Sequence, residues 1–559
     1  MRMPDSFPPI PRSARAWVIV CAAAVGAAGA GSSGVQAAEP PDFDRPDARA
    51  EEALRVWEPG RALRRIGTLV ESGRANAYLY LLHAKLLFHA GRYEEALKSA
   101  AEAERRAPKD KRVLGWTAFI RRTLKARKGF RVHRSERFEL HLAPGRDAPL
   151  VEFALRTAER SHLILAPFFG MSPAGAAGRR IRIEVYPTAE RFHWASNLSR
   201  RDIEVTGAVG ITAFNKIMVI SPRALTRGYR WADTLSHEYV HYLLVAASKN
   251  NAPIWFHEGL AKFLEARWRS LEDLYLGPVP RTLLAEAVRD GEFVSFRKME
   301  PSLVRLPNPR MVQLAYAEGA SAIDYILRRH GRGALLAVIR DLASSPKRKL
   351  AAAIRGVLGL SLDAFEDAWK KDLAGRRLKP VEGVWIPSYK VREGGDPART
   401  GEAEEFQAIR SAVARSHLRL GDMLWTRGRR RPAVMEYARA VRESPAAPYL
   451  RNRLAGRFIA LGRERAAVDQ LERARRLAPD YGATYTLLGH IHLRAGRMGE
   501  ARDAYLESFQ INPFDPDIHR GLVLAYRKLG EEKKAAKAEE ILRGLTRRLS
   551  RNSSLNKVE

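Results

Sequence analysis

The chain has 559 residues, 46% hydrophobic and 28% charged, the balance of an ordinary globular protein with room for three or four domains. Its formal net charge of +33 comes mostly from arginine spread along the chain. That favours anionic partners such as an envelope polymer, but no nucleic-acid motif accompanies it, so specific nucleic-acid binding is not expected. The lone cysteine, Cys21, lies in the apolar run near the N-terminus, which excludes a disulfide scaffold and cysteine-ligated zinc from the rest.

Arg2, Arg12 and Arg15 precede the small-residue apolar run AWVIVCAAAVGAAGAG, and Val35–Ala37 offers a small-x-small cleavage site. Residues 1–37 therefore read as a secretory signal peptide. The run is short and weakly hydrophobic for a membrane span. Export to the periplasm or cell envelope is expected, with no stable membrane span; a retained signal anchor in the inner membrane is the alternative. Residues 45–125 then read as helical repeats. The unit Ala77–Asp110 places Gly91 and Pro108 17 residues apart, and 45–75 is a degenerate partner. One such unit cannot bury its own apolar face, so it must stack on its neighbour or on the next domain.

Residues 129–375 differ in pattern. Arg137–Ala143 (RFELHLA) and Ile181–Pro187 (IRIEVYP) alternate like strands, with a helical period between them. Gly207–Pro222 suggests one or two more strands, and from Leu225 to about Ala374 the pattern is helical. This is an α+β domain, a small sheet followed by helices. Residues 376–404 hold turn residues without apolar period and read as a linker. In 405–545, Gly428, Gly462, Gly496 and Gly530 fall 34 apart, and Pro445, Pro479 and Pro513 each follow a glycine by 17. Each glycine closes one helix and each proline marks the end of the next. Leu488, Gly489, Ala501, Tyr505 and Pro513 resemble the tetratricopeptide repeat, an all-α solenoid that implies a protein partner. Three repeats are clear, a helical remnant to about 545 reads as a cap, and 546–559 as a basic polar tail.

The chemistry is concentrated in TLSHEYVHYLLVAASKNNAPIWFHEGLAKFLE, Thr234–Glu265. On a helix, His237 and His241 leave one face a turn apart, so two nitrogens can reach one metal ion. Glu238 sits about 100° round, placed to reach a water without being a ligand. The five residues alone also fit a buried helix with two histidines and no metal. A catalytic zinc needs a third ligand. A break before Pro253 and a second, antiparallel helix would return Glu258, or its neighbour His257, to the pair.

Trp255-x-x-Glu258-Gly259-Leu260-Ala261 resembles the W-x-x-E-G-[FL]-A motif of gluzincin metallopeptidases. The resemblance implies one zinc ion per chain held by His237, His241 and Glu258, with Glu238 as general base and a protein or peptide substrate. It implies a Y-x-x-G tyrosine, Tyr316, as oxyanion donor, and Glu265 as a carboxylate orienting a ligand histidine. It also implies an edge strand, within Gly210–Ile220, that binds extended substrate. The aminopeptidase G-x-M-E-N motif is absent, so the likeness is to the compact peptidase MA-like domains that accompany tetratricopeptide repeats. The alternative is a catalytically inactive repeat scaffold of the cell envelope.

Overall fold

The computed structural model describes residues 47–555 except 74, 173–179, 199–200, 203–206, 271–273, 347 and 386–404, with side chains to 546. The expected signal peptide and most of the linker lie outside the described residues. Among those described, no helix is long and apolar enough to cross a membrane.

Five helices open the described residues: α1 (Ala48–Arg55), α2 (Pro59–Glu71), α3 (Ala77–His89), α4 (Tyr93–Arg106) and α5 (Lys111–Arg127). Asp47, Asn76 and Asp110 begin α1, α3 and α5 by accepting hydrogen bonds from first-turn amides. Helices α1 and α2 are the degenerate partner: Ala50, Leu54, Ala62 and Ile66 pack against Leu82 and Leu86 of α3. The other side of α3 and α4, through Leu87, Phe88 and Tyr93, joins the core of the central domain. The repeat thus stacks on both of its candidate partners, the degenerate neighbour and the central domain.

The central sheet has β1 (Arg131–Arg134), β2 (Phe138–Leu142), β3 (Ile181–Tyr186), β4 (Gly210–Ala213) and β5 (Lys216–Ile220), in the order β1-β2-β3-β5-β4. The β2–β3 and β3–β5 pairs are parallel, and the edge pairs β1–β2 and β4–β5 are antiparallel. Helix α6 (Val151–Phe168) makes the crossover between β2 and β3, and α7 (Ala189–Ser196) follows β3. Strand β1 was not expected. Its RVHR is short, mostly polar and exposed, so it carries no apolar alternation. Leu140, Ile183 and Ile217 align across the three central strands. Their face packs under α6 and α8 (Trp231–Ser248). The opposite face carries Glu139, Arg182, Glu184 and Lys216 and lies under the N-terminal repeats.

After α8 come α9 (Ile254–Leu264), α10 (Pro278–Asp290), α11 (Pro309–Leu342, broken at Gly331), α12 (Leu350–Leu358) and α13 (Leu362–Gly375). The C-terminal array pairs α14 (Ala412–Thr426) with α15 (Arg430–Glu443), α16 (Pro448–Ala460) with α17 (Glu464–Leu477), α18 (Gly482–Arg494) with α19 (Met498–Phe509), and α20 (Pro516–Lys528) with α21 (Glu532–Leu555). Gly428, Gly462, Gly496 and Gly530 sit in the pair turns with φ between 69° and 75°, the left-handed region glycine tolerates. The expected cap is a full fourth pair. Its last helix runs to Leu555, through most of the segment read as a tail, because no proline follows Pro516 to stop it.

Candidate metal centre and its cleft

Helix α8 is buried on nearly all sides, which is why its apolar pattern is almost continuous between the histidines and Val245. It ends at Lys249 and Asn250, both in the left-handed region. The turn is pinned from two directions: Arg55 donates to Lys249 O at 2.5 Å, and Asn251 Nδ2 donates to Leu342 O at 2.7 Å. Pro253 starts α9, and the carboxylate of Glu300 accepts from the Ile254 amide at 2.6 Å. Helix α9 packs back along α8 and crosses α11 at a pair of glycines. A Cβ on Gly259 would lie 2.5 Å from Gly319 O, and one on Gly319 would lie 3.0 Å from Gly259 Cα. Both motif glycines therefore mark backbone-to-backbone contact.

This crossing assembles the expected side chains. His237, His241 and Glu258 offer ligand atoms that all lie within 4.8 Å of one another. Glu258 Oε2 is 3.3 Å from His237 Nε2 and 3.6 Å from His241 Nε2. Behind His237, Nδ1 meets Glu265 Oε2 at 3.0 Å, and Glu265 is held in turn by Lys262 at 2.7 Å. Behind His241, Nδ1 lies 3.3 Å from His257 Nδ1. His257 therefore stands on the far side of His241 from Glu258. The ring of Tyr316, one turn before Gly319 on α11, is centred 6.4 Å from that of His237.

Electrostatics mark the centre as a seat for positive charge. Burial opposes a proton on His237, but hydrogen bonds to Glu258 and Glu265 prevail and push its pKa up to about 10. Burial pushes the Glu238 carboxyl up to about 7, against the pull of His237 and a hydrogen bond from Thr212. Burial also holds His241 well below the ordinary imidazole value and brings His257 down to about 4.

Two residues at the site had no signal in the motif. Thr212 Oγ1 on β4 lies 2.8 Å from Glu238 Oε2 and 2.7 Å from Glu238 O, sharing its one proton between them. Gly210, on the same strand, passes so close that a Cβ would sit 2.7 Å from Glu238 Oε1. A glycine inside a strand is a general sign of such approach, but it does not name the partner. The site opens into a cleft of about 690 Å³ that reaches from His237, Glu238 and Glu258 to Tyr485 and Glu507 of the C-terminal array.

An α+β domain with a largely buried two-histidine, one-glutamate cluster, set between helical repeats, is the class of protein that fold and site define. Residues 174–375 match the family model of the Peptidase MA superfamily, and residues 48–111 and 452–516 match that of the tetratricopeptide repeat. The chain carries a Peptidase MA superfamily domain flanked by tetratricopeptide repeats.

Among curated proteins, it is 31% identical over 98 residues to small glutamine-rich tetratricopeptide repeat-containing protein 2 of Mycosarcoma maydis, covering 17% of this chain and 28% of that one. It is 32% identical over 103 residues to DnaJ homolog subfamily C member 3 of Rattus norvegicus, covering 18% and 20%. The chain thus spans less than a third of the length of these relatives. Among solved structures, a crystal structure of MamA is 19% identical with a TM-score of 0.23, over 28% of this chain and 89% of that one. The Sgt2 repeat domain from Aspergillus fumigatus is 23% identical with a TM-score of 0.21, over 22% and 85%.

Proposed function

We propose that residues 129–375 are a zinc metallopeptidase unit of the gluzincin type, set between repeat arrays at 45–125 and 405–545. The unit is taken to begin before residue 174 because β1 and β2 pair into the same sheet as β3 to β5. The observation that carries the reading is the convergence of His237, His241 and Glu258, with Glu258 Oε2 at close range of both imidazoles. Ligands about 2.0–2.1 Å from a tetrahedral zinc stand roughly 3.3–3.4 Å apart. The 3.3 and 3.6 Å found between Glu258 and the two imidazoles fit that size. A divalent cation also supplies the positive charge that Glu258 and Glu265 otherwise draw onto His237.

Bound there, zinc would polarise a peptide carbonyl and lower the pKa of a water. Glu238 takes the proton of the attacking water and delivers it to the departing amine. Thr212 holds the Glu238 carboxylate to the strand beside the cleft. Glu265 and His257 each engage the Nδ1 of a ligand histidine, which leaves the Nε2 lone pair of each ring toward Glu258. Tyr316 donates to the oxygen on which negative charge grows. The repeats, a module of the kind that binds proteins, recruit a protein partner or substrate. Export to the periplasm or envelope, and any affinity for an anionic envelope polymer, belong to the same proposal and rest on residues 1–37 and on the net charge.

Elemental mass spectrometry of the purified chain is expected to find about one zinc, lost in Glu258→Ala and kept in His257→Ala. Glu238→Gln is expected to keep zinc and lose hydrolysis of a peptide library by about 10²–10⁴-fold. No zinc after reconstitution would sink the reading. Zinc bound with no peptide cleaved would leave the inactive scaffold.

A further inference from the structure

We propose that the C-terminal repeats form the far wall of the catalytic cleft, and that they select an apolar or aromatic side chain about three residues along an extended peptide from the point held at His237, His241 and Glu258. This deepens, and rests on, the reading of that centre as a peptidase site.

Three observations carry it. First, the start of α8 is bonded to the repeats. Tyr229 N donates to Ile511 O at 3.1 Å, Trp231 N to Gln510 O at 3.2 Å, and the Trp231 indole to Phe509 O at 3.2 Å. The first amides of a helix have no partner within it, and here the turn after α19 supplies a carbonyl to the first of them, Trp231 N. The contact is at backbone distance, since a Cβ on Gly228 would stand 2.2 Å from Ile511 O. Second, the Arg230 side chain, 15% exposed, enters the array and bonds Asp480 at 2.6 Å, Glu507 at 3.1 Å and Pro479 O at 2.9 Å. These groups come from two successive repeats, so the array has one position against the domain. Third, the cleft is continuous from the metal centre to Pro479, Tyr485 and Trp385.

Spacing sets the distance. Arg230 precedes His237 by seven residues, about 10 Å along α8. An extended peptide covers that in about three residues. Chemistry sets the preference. The acidic groups on the repeat side, Asp480 and Glu507, are already engaged by Arg230. Arg475, which also lines this side, is paired with Glu472 at 2.7 Å, and the other groups are the Tyr485 ring, Pro479, Ala478 and Trp385, the last clamped to the array by its amide on Leu477 O and its ring against Tyr481. Leu274, 37% exposed, and Val279 line the cleft from the central domain, where Lys262 is paired with Glu265, Arg269 with Asp233, and Arg267 lies over the Phe263 ring. A slot whose charged groups are already partnered and whose other lining is apolar takes an apolar side chain.

The test uses the full chain carrying Glu238→Gln, so that peptides bind without turnover, and fluorescent octapeptides too short to reach other repeat surfaces. Phe and Asp are scanned through every position, and affinity is read by anisotropy. One position is expected to favour Phe by about tenfold or more. Tyr485→Ala and Trp385→Ala, each checked for an unchanged circular dichroism spectrum and zinc content, are expected to reduce that preference below about threefold and leave the other positions alone. Leu274→Asp, on an exposed residue of the other wall, is expected to do the same if either repeat variant fails to fold. An unchanged preference in the folded variants, or no peptide binding at all, overturns the proposal. Selective binding by a chain whose Glu238 form cleaves nothing supports the wall and removes the peptidase reading instead.

Discussion

At the residue scale, the position of Glu238 depends on two neighbours that carry no chemistry of their own. Gly210 leaves room for its side chain against β4, and Thr212 holds one carboxylate oxygen. Gly210→Ala is expected to keep zinc and lower hydrolysis by about 10²-fold, because a misplacement on the order of 1 Å is enough to do so. Unchanged turnover with unchanged zinc would show that Glu238 has room to yield. Gly259→Ala tests a different contact. Its Cβ would meet Gly319 O at 2.5 Å, where no flexible side chain can move aside. A loss of about 1–3 kcal/mol in urea unfolding is expected from such overpacking. His237, His241, Glu258, Glu265 and Tyr316 were legible because helical spacing and a motif place them. Thr212 was not, because its partner is 26 residues away on another element.

At the element scale, the sheet is unusual in having a charged face that is buried. Glu184 of β3 is held by Lys216 at 2.7 Å, Arg127 at 2.8 Å and Tyr93 at 2.9 Å. The last two come from the N-terminal repeats. Burial disfavours the Glu184 charge, but Lys216, Arg127 and Arg182 outweigh it and hold the carboxyl far below its usual range. A hydrogen bond with His141, aided by Arg182, brings Glu139 down to about 2. A carboxylate lowered in the fold contributes stability that is complete above its unfolded value of 4.5 and is lost as pH falls through the folded one. From these two carboxylates the urea midpoint is expected to drop steadily from about pH 5 toward pH 2, with a shallower drop in Glu139→Gln. Lys216→Met is expected to cost about 3–5 kcal/mol at neutral pH, since it leaves buried negative charge short of a partner; a neutral effect would assign the holding of Glu184 to Arg127, Arg182 and Tyr93. The β4–β5 hairpin adds a second tie. Phe214 and Asn215 both take left-handed φ in its two-residue turn, and the Phe214 ring is packed among Phe88, Trp116 and Phe119 of the repeats.

At the scale of the whole molecule, the two repeat arrays hold opposite ends of one helix. The C-terminal array caps the start of α8 through Phe509, Gln510 and Ile511. The N-terminal array holds the turn after it, where Arg55 reaches Lys249 O and Asn251 Oδ1. Arg230→Ala removes the side-chain part of the first tie. It is expected to cost about 2–5 kcal/mol of docking, toward the lower figure because Asp480 and Glu507 are 40% and 35% exposed. Small-angle scattering should then show a larger radius of gyration, with zinc content unchanged. A radius equal to the parent's would mean that the backbone bonds at 229–231 suffice.

What the sequence alone determined was whatever depends on local period. A repeat of 34, a helix with histidines one turn apart, a glutamate on the next helix and the strands of a small sheet all follow from spacing along the chain. Strand β1 escaped because four mostly polar residues at an edge show no period. The tertiary structure alone decided which surfaces meet. The charged sheet face became a buried seam only because repeats lie on it. Glu238 found Thr212 and Gly210 only because the sheet edge lies beside α8. The cleft acquired a second wall because Arg230 and the Gln510 turn join segments some 280 residues apart. Such pairings are set by shape and charge between distant elements, and no local pattern in either partner records the other.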